Sequence, residues 1–303
     1  MVRGLRKPVA CLAFAVASLA GCIGGGGEIS GPSAPRFEAP PAGAARPRIA
    51  LVLGSGGHRG FAHIGVLKVL DENRIRPDLI VGTSVGAIVG ALYAGGISAT
   101  AIEKFAYDLS MLDLFDFRMV LKEPSTGSRT QELVSKHVGG RLIEQLPVAF
   151  VATVTRQRDG ALVLFNRGDT GAAVRASGAS PGQFEPVRIS GESYVDGDEA
   201  SPVPIRAARR MGARVVIAVD VSAYVGNTPA GVPAEWVRKD ARRARQVAAE
   251  APEADVLIHP DLGYYAGGSE EYRHRVIAAA ELATRAQLPA LLAAAARAGG
   301  AAR

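Results

Sequence analysis

The chain has 303 residues, of which 48% are hydrophobic and 21% charged, and its formal charge is +6 at neutral pH. This composition excludes a disordered or collagen-like chain and is sufficient for one large domain with its own core. Three of the positive charges, Arg3, Arg6 and Lys7, lie at the very start, and the remaining excess is too small to argue for a nucleic-acid partner.

The first 21 residues have the pattern of an export signal. Their basic start is followed by an apolar run, residues 9–19, that is too short to cross a bilayer comfortably. The run ends in Leu19-Ala20-Gly21-Cys22, which resembles the cleavage box of bacterial lipoproteins, where the Cys thiol is acylated and becomes the new N-terminus. A lipidated Cys22 would anchor the protein to a membrane of the cell envelope, and Ile23 in place of Asp favours the outer membrane. The alternative is a plain secretory signal with an incidental Cys.

Residues 22–47 are predicted to form a flexible tether. The segment from 24 to 47 reads GGGGEISGPSAPRFEAPPAGAARP and has none of the periodic apolar residues that a packed element requires. Such a tether would keep the remaining domain, residues 48–303, close to a lipid surface. Because Cys11 is removed with the signal and Cys22 carries lipid, no disulfide is expected in the mature domain.

The chain from Arg48 onward alternates short apolar strands with helices. Residues 48–53 (RIALVL) predict a strand that ends in glycines, and residues 61–73 have apolar residues at helical spacing. A second strand at 79–81 and a small-residue helix at 85–93 repeat this unit. Further β-prone runs, separated by helical segments, occur at 148–155, 161–165, 215–221 and 256–258. The pattern predicts an α/β fold with a mostly parallel central β-sheet flanked by helices.

A G-x-S-x-G sequence, Gly82-Thr83-Ser84-Val85-Gly86, lies between the second strand and the following helix. In this context a tight turn forces the Ser hydroxyl outward, and the flanking Gly82 and Gly86 avoid Cβ clashes within the turn. The positive N-terminal end of the helix points at the place where a tetrahedral oxyanion would form. Ser84 is therefore the candidate nucleophile, and a glycine-rich connection with an incidental Ser is the alternative.

The first strand also ends in a glycine-rich turn, Gly54-Ser55-Gly56-Gly57-His58-Arg59-Gly60. Its backbone N–H groups could form a nest for an anion, as an oxyanion hole requires, with Gly56 and Gly57 as the expected donors. A dinucleotide cofactor is disfavoured because Arg59 occupies the third glycine position of G-x-G-x-x-G, where its side chain would crowd the packing of helix on strand. Arg59 could add positive charge to the oxyanion hole, or only tie the loop to the domain.

These two turns and two later segments resemble the sequence blocks of patatin-like phospholipases. The first two blocks are GSGGHRGFAHIGVLKVL from residue 54 and DLIVGTSVGAIVGALYAGG from residue 78. A third, residues 176–184 (ASGASPGQF), is similar to the family's A-S-x-A-x-P-x-x-F, and Tyr194-Val195-Asp196-Gly197 is similar to its second catalytic motif. The resemblance covers about residues 48–220 and implies a patatin-like layered fold.

The resemblance further implies a lipid acyl hydrolase with a Ser and Asp dyad, in which no His is required. Asp196 and Gly197 match the family's D-G-[GA], so Asp196 would take the proton of Ser84 while the loop from Gly54 to Gly60 stabilises the oxyanion. A buried carboxyl group whose pKa is raised can act as such a base. The implied substrate is a phospholipid, a lysophospholipid or another acyl ester, and neither a cofactor nor a nucleic-acid partner is implied.

Two residues depart from the family pattern. Ser55 stands where many members have Gly, and Asp198 replaces the usual Gly or Ala after Asp196-Gly197. A carboxylate two residues from the base would raise the pKa of Asp196 by repulsion of like charges, or could itself be taken for the base. We expect Asp196 to be the base.

Two alternative functions remain open. His259 follows the 256–258 strand and could complete a Ser-His-Asp triad of the α/β-hydrolase type, although that fold places several strands before its nucleophile. A catalytically inactive, lipid-binding lipoprotein on the same fold is the other alternative. No metal site is predicted, since no pair of the five His residues has helical i, i+4 spacing or a neighbouring Cys.

Overall fold

The computed structural model describes residues 27–41, 43, 45–110, 118 and 122–299, so the predicted export signal and Cys22 lie outside the described residues. The strands within this part are β1 (Ile49–Leu53), β2 (Leu79–Thr83), β3 (Ala149–Arg156), β4 (Leu162–Phe165), β5 (Val187–Ile189), β6 (Glu192–Asp196), β7 (Val215–Val219) and β8 (Val256–Ile258). They form one sheet in the order β5-β6-β3-β2-β1-β7-β8, with β4 paired to β3.

Helices cover both faces of this sheet. They are α1 (Ala62–Glu72), α2 (Val85–Ala94), α3 (Ala99–Asp108), α4 (Ser128–His137), α5 (Thr170–Ser177), α6 (Ile205–Arg210), α7 (Ala234–Glu250), α8 (Glu270–Ala286) and α9 (Leu288–Arg297). Alternate residues of a strand face opposite sides, so Leu51 and Leu53 of β1 belong to one buried cluster and Ala50 and Val52 to another. The first cluster includes residues of α1–α5, α8 and α9, and the second includes residues of α6 and α7. The fold therefore has three layers.

The predicted α/β class is confirmed, with a parallel centre and an antiparallel extension. β1 pairs in parallel with β2 and β7, β2 with β3, and β7 with β8. The pairings of β3 with β4, of β3 with β6, and of β5 with β6 are antiparallel. The sequence pattern does not predict β5 or β6, because neither is an apolar run: Arg188 lies in the middle of β5, and β6 begins with the polar residues Glu192 and Ser193.

Residues 28–38 pack against the domain, so the prediction of a tether over residues 22–47 is wrong for this part. The N–H of Ile29 donates to the carbonyl of Arg188 in β5 at 2.9 Å, and the N–H of Arg36 donates to the carbonyl of Arg167, after β4, at 3.0 Å. Ala34 between them is buried. These bonds use the backbone, which any residue can offer to an edge strand, so a search for periodic apolar side chains does not find them.

Within the described residues, no single helix is both long enough and apolar enough to span a membrane. The consecutive helices α8 and α9 reach the length and composition of a membrane span only when taken together, and a bend of 62° separates them. Pro289 lies in the first turn of α9, where its missing N–H is not needed. α8 packs so closely on α1 that a Cβ on Gly65 would lie 2.2 Å from the carbonyl oxygen of Ile277.

Candidate active site

The ends of β2 and β6 meet against β3. Thr83, the last residue of β2, pairs with Thr153, whereas Asp196, the last residue of β6, pairs with the adjacent Val154. Since β4 occupies the other edge of β3 at residues 152–155, β2 and β6 lie end to end along one edge and run toward each other. This topology places the residue after β2 beside the last residue of β6. The Ser84 hydroxyl donates to Oδ2 of Asp196 at 2.7 Å.

A strained turn holds Ser84 at the end of β2. Its φ of 55° and ψ of −123° lie in a region that residues with side chains rarely adopt. A Cβ on Gly82 would lie 2.5 Å from Cα of Ala87, and one on Gly86 would lie 2.1 Å from the carbonyl oxygen of Leu53. Only glycine fits at these two positions, as the prediction of a tight turn requires.

Ser177 orients the same turn, a role that its sequence motif does not indicate. Its hydroxyl oxygen accepts the backbone N–H of Ser84 at 2.9 Å and donates its hydrogen to the carbonyl of Thr153 at 2.7 Å. Ser177 is fully buried at the end of α5. It belongs to the A-S-x-A-x-P-x-x-F block, so a sequence signal was present, but a motif alone does not name the partner of a side chain.

Asp196 is a buried carboxyl group, 3% exposed, with donors on both oxygens. Oδ1 accepts the N–H of Asp198 at 2.9 Å, and Oδ2 accepts the Ser84 hydroxyl. Burial, and then the negative charge of Asp198, raise the pKa of Asp196 to about 7, against the opposing effects of these hydrogen bonds and of Arg243. Gly197 keeps the next turn close to β3, since a Cβ there would lie 2.5 Å from the carbonyl oxygen of Thr153.

Three glycines of the loop between β1 and α1 are packed too tightly to carry a side chain. A Cβ on Gly60 would lie 2.2 Å from Cγ2 of Val85, the residue that follows Ser84. The corresponding distances are 2.6 Å at Gly56 and 2.8 Å at Gly54, in both cases to the side chain of a valine. The glycine loop therefore lies directly beside the turn that carries Ser84.

Gly56 and Gly57 are the residues of this loop that are predicted to donate to an oxyanion. Gly57 has a φ of 54°, in the left-handed region that glycine adopts without strain. Within the part of the chain that the structure describes, neither N–H donates a hydrogen bond to another group. Both groups are therefore available to donate to a negative oxygen, and their role in an oxyanion hole stays a prediction.

Arg59 ties the glycine loop to the segment after β8. Its Nη2 donates to the carbonyl oxygen of Tyr264, and the Tyr264 hydroxyl donates to Asp240 of α7 at 2.8 Å. The backbone N–H of Arg59 donates to the carbonyl of Gly56 at 3.1 Å. Of the two roles that the sequence left open, this geometry favours the tie over a charge in the oxyanion hole. The tie is made to a backbone carbonyl and not through an ion pair.

The two residues that depart from the family pattern contact each other. The Ser55 hydroxyl donates to Oδ1 of Asp198, so one residue of the glycine loop is bonded to the turn that follows Asp196. Arg243 of α7 forms an ion pair with the same Asp198 oxygen. Sequence patterns could not identify this arginine, because it lies 188 residues from Ser55 along the chain.

The histidines at the carboxyl edge of the sheet do not join the Ser84–Asp196 pair. Nε2 of His259 is 3.0 Å from the carbonyl oxygen of Ser222 and 3.7 Å from Oδ2 of Asp220. This geometry disfavours the Ser-His-Asp alternative.

His63 is fully buried, with Nε2 2.8 Å from the carbonyl oxygen of Gly54, and burial lowers its pKa to about 4. The described residues contain no group of three or more His, Cys, Asp or Glu side chains that could hold a metal ion.

Comparison with curated proteins finds relatives of similar sequence. An uncharacterized NTE family protein of Mycobacterium tuberculosis is 34% identical over 210 residues, which are 66% of this chain and 57% of that protein. Lysophospholipase NTE1 of Coccidioides immitis is 35% identical over 189 residues, which are 60% of this chain and 12% of that protein. The match thus spans little more than half of the bacterial relative and a small part of the fungal one.

Among solved structures, VipD from Legionella pneumophila is similar over 86% of this chain and 70% of its own, with 13% identity and a TM-score of 0.47. The family model described as patatin-like phospholipase matches residues 51–209, more than half of the 303 residues. The matched range contains Ser84, Asp196 and the glycine loop. On the strength of that match, the chain belongs to the patatin-like phospholipase family.

Proposed function

We propose that this protein is a serine acyl hydrolase that cleaves acyl esters of lipids through a Ser84–Asp196 dyad. The observation that carries the proposal is the 2.7 Å hydrogen bond from the Ser84 hydroxyl to a buried carboxyl group whose pKa is about 7. A hydroxyl needs a base to become a nucleophile at neutral pH, and a carboxylate in this position can accept its proton. Membership of the patatin-like phospholipase family supports the same class of reaction.

In the first half of the reaction, Oγ of Ser84 attacks the ester carbonyl carbon, and its proton passes to Oδ2 of Asp196. The carbonyl oxygen becomes an oxyanion, which the N–H groups of Gly56 and Gly57 stabilise. Collapse of the tetrahedral intermediate breaks the bond to the alcohol oxygen, and Asp196 gives the proton to the departing alcohol. Ser84 is left as an acyl ester.

In the second half, water attacks the acyl carbon while Asp196 takes a proton from the water. The second tetrahedral intermediate collapses with release of the fatty acid, and Asp196 returns the proton to Oγ of Ser84. One water is consumed, and one acid and one alcohol are produced. The strained turn at Ser84 contributes by holding the hydroxyl in one orientation toward both the base and the glycine loop.

The proposed substrate class is a phospholipid, a lysophospholipid or another acyl ester. Support comes from the fungal relative, which carries the name lysophospholipase, and from the family model. The turn at Ser84 and the tight fit at Gly82, Gly86 and Gly197 favour a working enzyme over the inactive lipid-binding alternative, because that alternative has no need of a strained Ser beside a buried carboxyl group.

The test compares hydrolysis of a short-chain p-nitrophenyl ester and of mixed phospholipid vesicles by the wild type and three variants. We expect Ser84→Ala and Asp196→Asn to lose about 10³-fold or more in kcat, whereas His259→Ala keeps its activity. Loss in all three variants would favour the triad. A folded wild type that hydrolyses neither substrate, and whose Ser84 is not labelled by a fluorophosphonate, would overturn the proposal in favour of lipid binding.

We also propose that Cys22 is lipidated and anchors the protein in the cell envelope, with the outer membrane favoured by Ile23. The support is the order of a basic start, an apolar run and Leu19-Ala20-Gly21-Cys22. Growth of the producing cells with a labelled fatty acid should label the wild type but not Cys22→Ser. Label that persists in Cys22→Ser would overturn the anchor, and membrane fractionation would test the choice of membrane.

A further inference from the structure

A buried cluster joins the glycine loop, the turn after Asp196 and helix α7. Nη1 of Arg243 lies 3.2 Å from Oδ1 of Asp198, the same oxygen that accepts the Ser55 hydroxyl. Nη2 of Arg243 donates to the carbonyl and hydroxyl oxygens of Ser55, at 3.1 and 3.0 Å. The Asp198 and Arg243 side chains are only 7% and 11% exposed. We call these three residues the Ser55–Asp198–Arg243 cluster.

We propose that this cluster is a positioning unit of the acyl hydrolase: it fixes the glycine loop against the base and sets the pH range in which Asp196 can accept the Ser84 proton. This inference rests on the proposed function and goes beyond it. The three side chains act through Asp196 and through the backbone of the loop, so they are positioning residues and not members of the dyad.

Asp198 acts on Asp196 in two opposite ways. Its backbone N–H donates to Oδ1 of Asp196 at 2.9 Å, which favours the charged carboxylate, whereas its side-chain charge disfavours it. Arg243 brings the opposite charge to the same site and lowers the pKa of Asp196. From β3, the Thr155 hydroxyl donates to the carbonyl of Asp196 and does not titrate in this range. Burial raises the pKa of Asp196 most, and the opposite charges of Asp198 and Arg243 then raise and lower it in turn.

The other charged groups near this turn are engaged elsewhere. Glu199 pairs with Arg242 at 2.6 Å, and those side chains are 28% and 36% exposed, so solvent screens their effect more. Arg59 adds a positive charge near Arg243 from the glycine loop. Arg242 and Arg243 are adjacent on α7, but only Arg243 forms an ion pair with Asp198. The two arginines are therefore a matched pair for an experiment.

Ser55 and Asp198, the two residues that depart from the family pattern, are physically linked. Asp198 brings a charge into a buried site, and such a charge is strongly unfavourable unless it is paired and hydrogen-bonded. Arg243 supplies the opposite charge, and Ser55 supplies a hydrogen bond. Because the same arginine donates to the Ser55 carbonyl, a change at one member is expected to reach both the base and the loop that carries Gly56 and Gly57.

The experiment measures kcat/KM for a p-nitrophenyl ester between about pH 5 and about pH 9, together with the rate at which a fluorophosphonate labels Ser84. The variants are Asp198→Asn, Arg243→Gln and the double variant, with Arg242→Gln as the matched control. Arg243→Lys keeps the charge and loses the forked donor that reaches Ser55. Circular dichroism confirms that each variant is folded.

The two single variants are expected to shift the acid limb of the profile in opposite directions. Loss of the negative charge in Asp198→Asn should move the limb about one unit to lower pH, and loss of the positive charge in Arg243→Gln should move it by a smaller amount to higher pH. The double variant should lie between the two single variants, because both charges are gone. Arg242→Gln and Arg243→Lys should leave the limb in place, and Arg243→Lys should lower kcat through the loosened loop.

Limbs that do not move, or that move in the same direction in both single variants, would overturn the inference and leave the cluster a structural role only. An inactive wild type would instead overturn the proposed function, so the two failures are distinguishable. If Arg243→Gln does not fold, the comparison of Asp198→Asn with Arg243→Lys still decides: the inference requires a lower limb in the first and an unmoved limb in the second.

Discussion

The hydroxyl oxygen of Ser177 accepts the backbone N–H of Ser84 at 2.9 Å. Because Ser177 passes its own hydrogen to the carbonyl of Thr153, one chain of hydrogen bonds links the strained turn, the end of α5 and β3. The turn is thus oriented from its backbone side by Ser177, while Asp196 meets the Ser84 hydroxyl on the other side.

Replacement of Ser177 by Ala should impair both folding stability and catalysis. It leaves the N–H of Ser84 without its partner, for which we expect a loss of about 1–3 kcal/mol in the free energy of unfolding. Because the turn is then less firmly held, the Ser84 hydroxyl should be misoriented, and kcat should fall about 10-fold or more with little change in KM. Urea denaturation and steady-state kinetics measure the two effects, with the half-buried Ser193→Ala as control. A Ser177→Ala protein with the stability and kcat of the wild type would contradict this role.

The activity of the wild type should rise with pH through a midpoint close to pH 7. Asp196 must be ionised to accept the Ser84 proton, and burial together with the charge of Asp198 raises its pKa to about 7. Below this pH the carboxyl group is protonated and the dyad has no base. The measurement is kcat/KM for an uncharged ester as a function of pH. An acid limb near pH 4, the ordinary range of a carboxyl group, would show that Asp196 is not perturbed in this way.

The local geometry of the site could be predicted from the sequence, because local constraints leave their mark on it. Gly82 and Gly86 flank Ser84 at a strand-to-helix junction, and the structure shows that neither position has room for a Cβ. The role expected for Asp196 came only from resemblance to a family motif. No periodicity around it indicated a strand, although the end of β6 is what brings Asp196 to Ser84.

The contacts that sequence patterns did not predict are long-range or made by the backbone. Arg243 lies on a helix whose basic residues are typical of a solvated surface, and only the folded chain brings it to Asp198. Residues 28–38 are held by backbone hydrogen bonds to Arg188 and Arg167, which carry no compositional signature. In both cases the information lies in how distant segments pack, and a local pattern does not contain it.

Asp196→Asn should be inactive and yet more stable than the wild type at alkaline pH. The pKa of Asp196 is about 7 in the folded protein and 3.8 in its ordinary state, so the folded protein binds the extra proton between these values. The stability that this group contributes is present at low pH and is lost as the pH rises through 7. Asn removes that loss, so we expect about 4 kcal/mol of stabilisation, or about 10 °C in Tm, at pH 8 and little at pH 4.

Thermal melting of the two proteins at both pH values checks this expectation. Ser84→Ala serves as a control that is also inactive but keeps the carboxyl group. A Tm difference between Asp196→Asn and the wild type that is the same at both pH values would show that the effect does not come from the charge.

His63 should make the fold sensitive to acid in the opposite sense. Its pKa is lowered to about 4 by burial, against 6.5 in its ordinary state, so the unfolded chain binds more protons between these values. Stability from this group is present above pH 6.5 and is lost as the pH falls toward 4, by about 3 kcal/mol in all. We expect His63→Gln, which can still donate to the Gly54 carbonyl, to lose less stability over this range than the wild type does. Half-buried His137→Gln is the control, and equal losses in all three proteins would refute the assignment.

Gly86→Ala should destabilise the fold and abolish turnover, although it adds a single methyl group. The new Cβ would lie 2.1 Å from the carbonyl oxygen of Leu53, so either β1 or the first turn of α2 has to move. Both elements carry the site, since the glycine loop follows β1 and Ser84 precedes α2. We expect a loss of about 3 kcal/mol or more in the free energy of unfolding, measured by urea denaturation.

The matched control for this change is Gly226→Ala, because a Cβ there meets no atom within 4 Å. That variant should stay within about 0.5 kcal/mol of the wild type and keep its kcat. If Gly86→Ala remained stable but lost kcat, the methyl group would have displaced Ser84 without disturbing the core. If it kept both, the close approach of α2 to β1 would not be what positions the nucleophile.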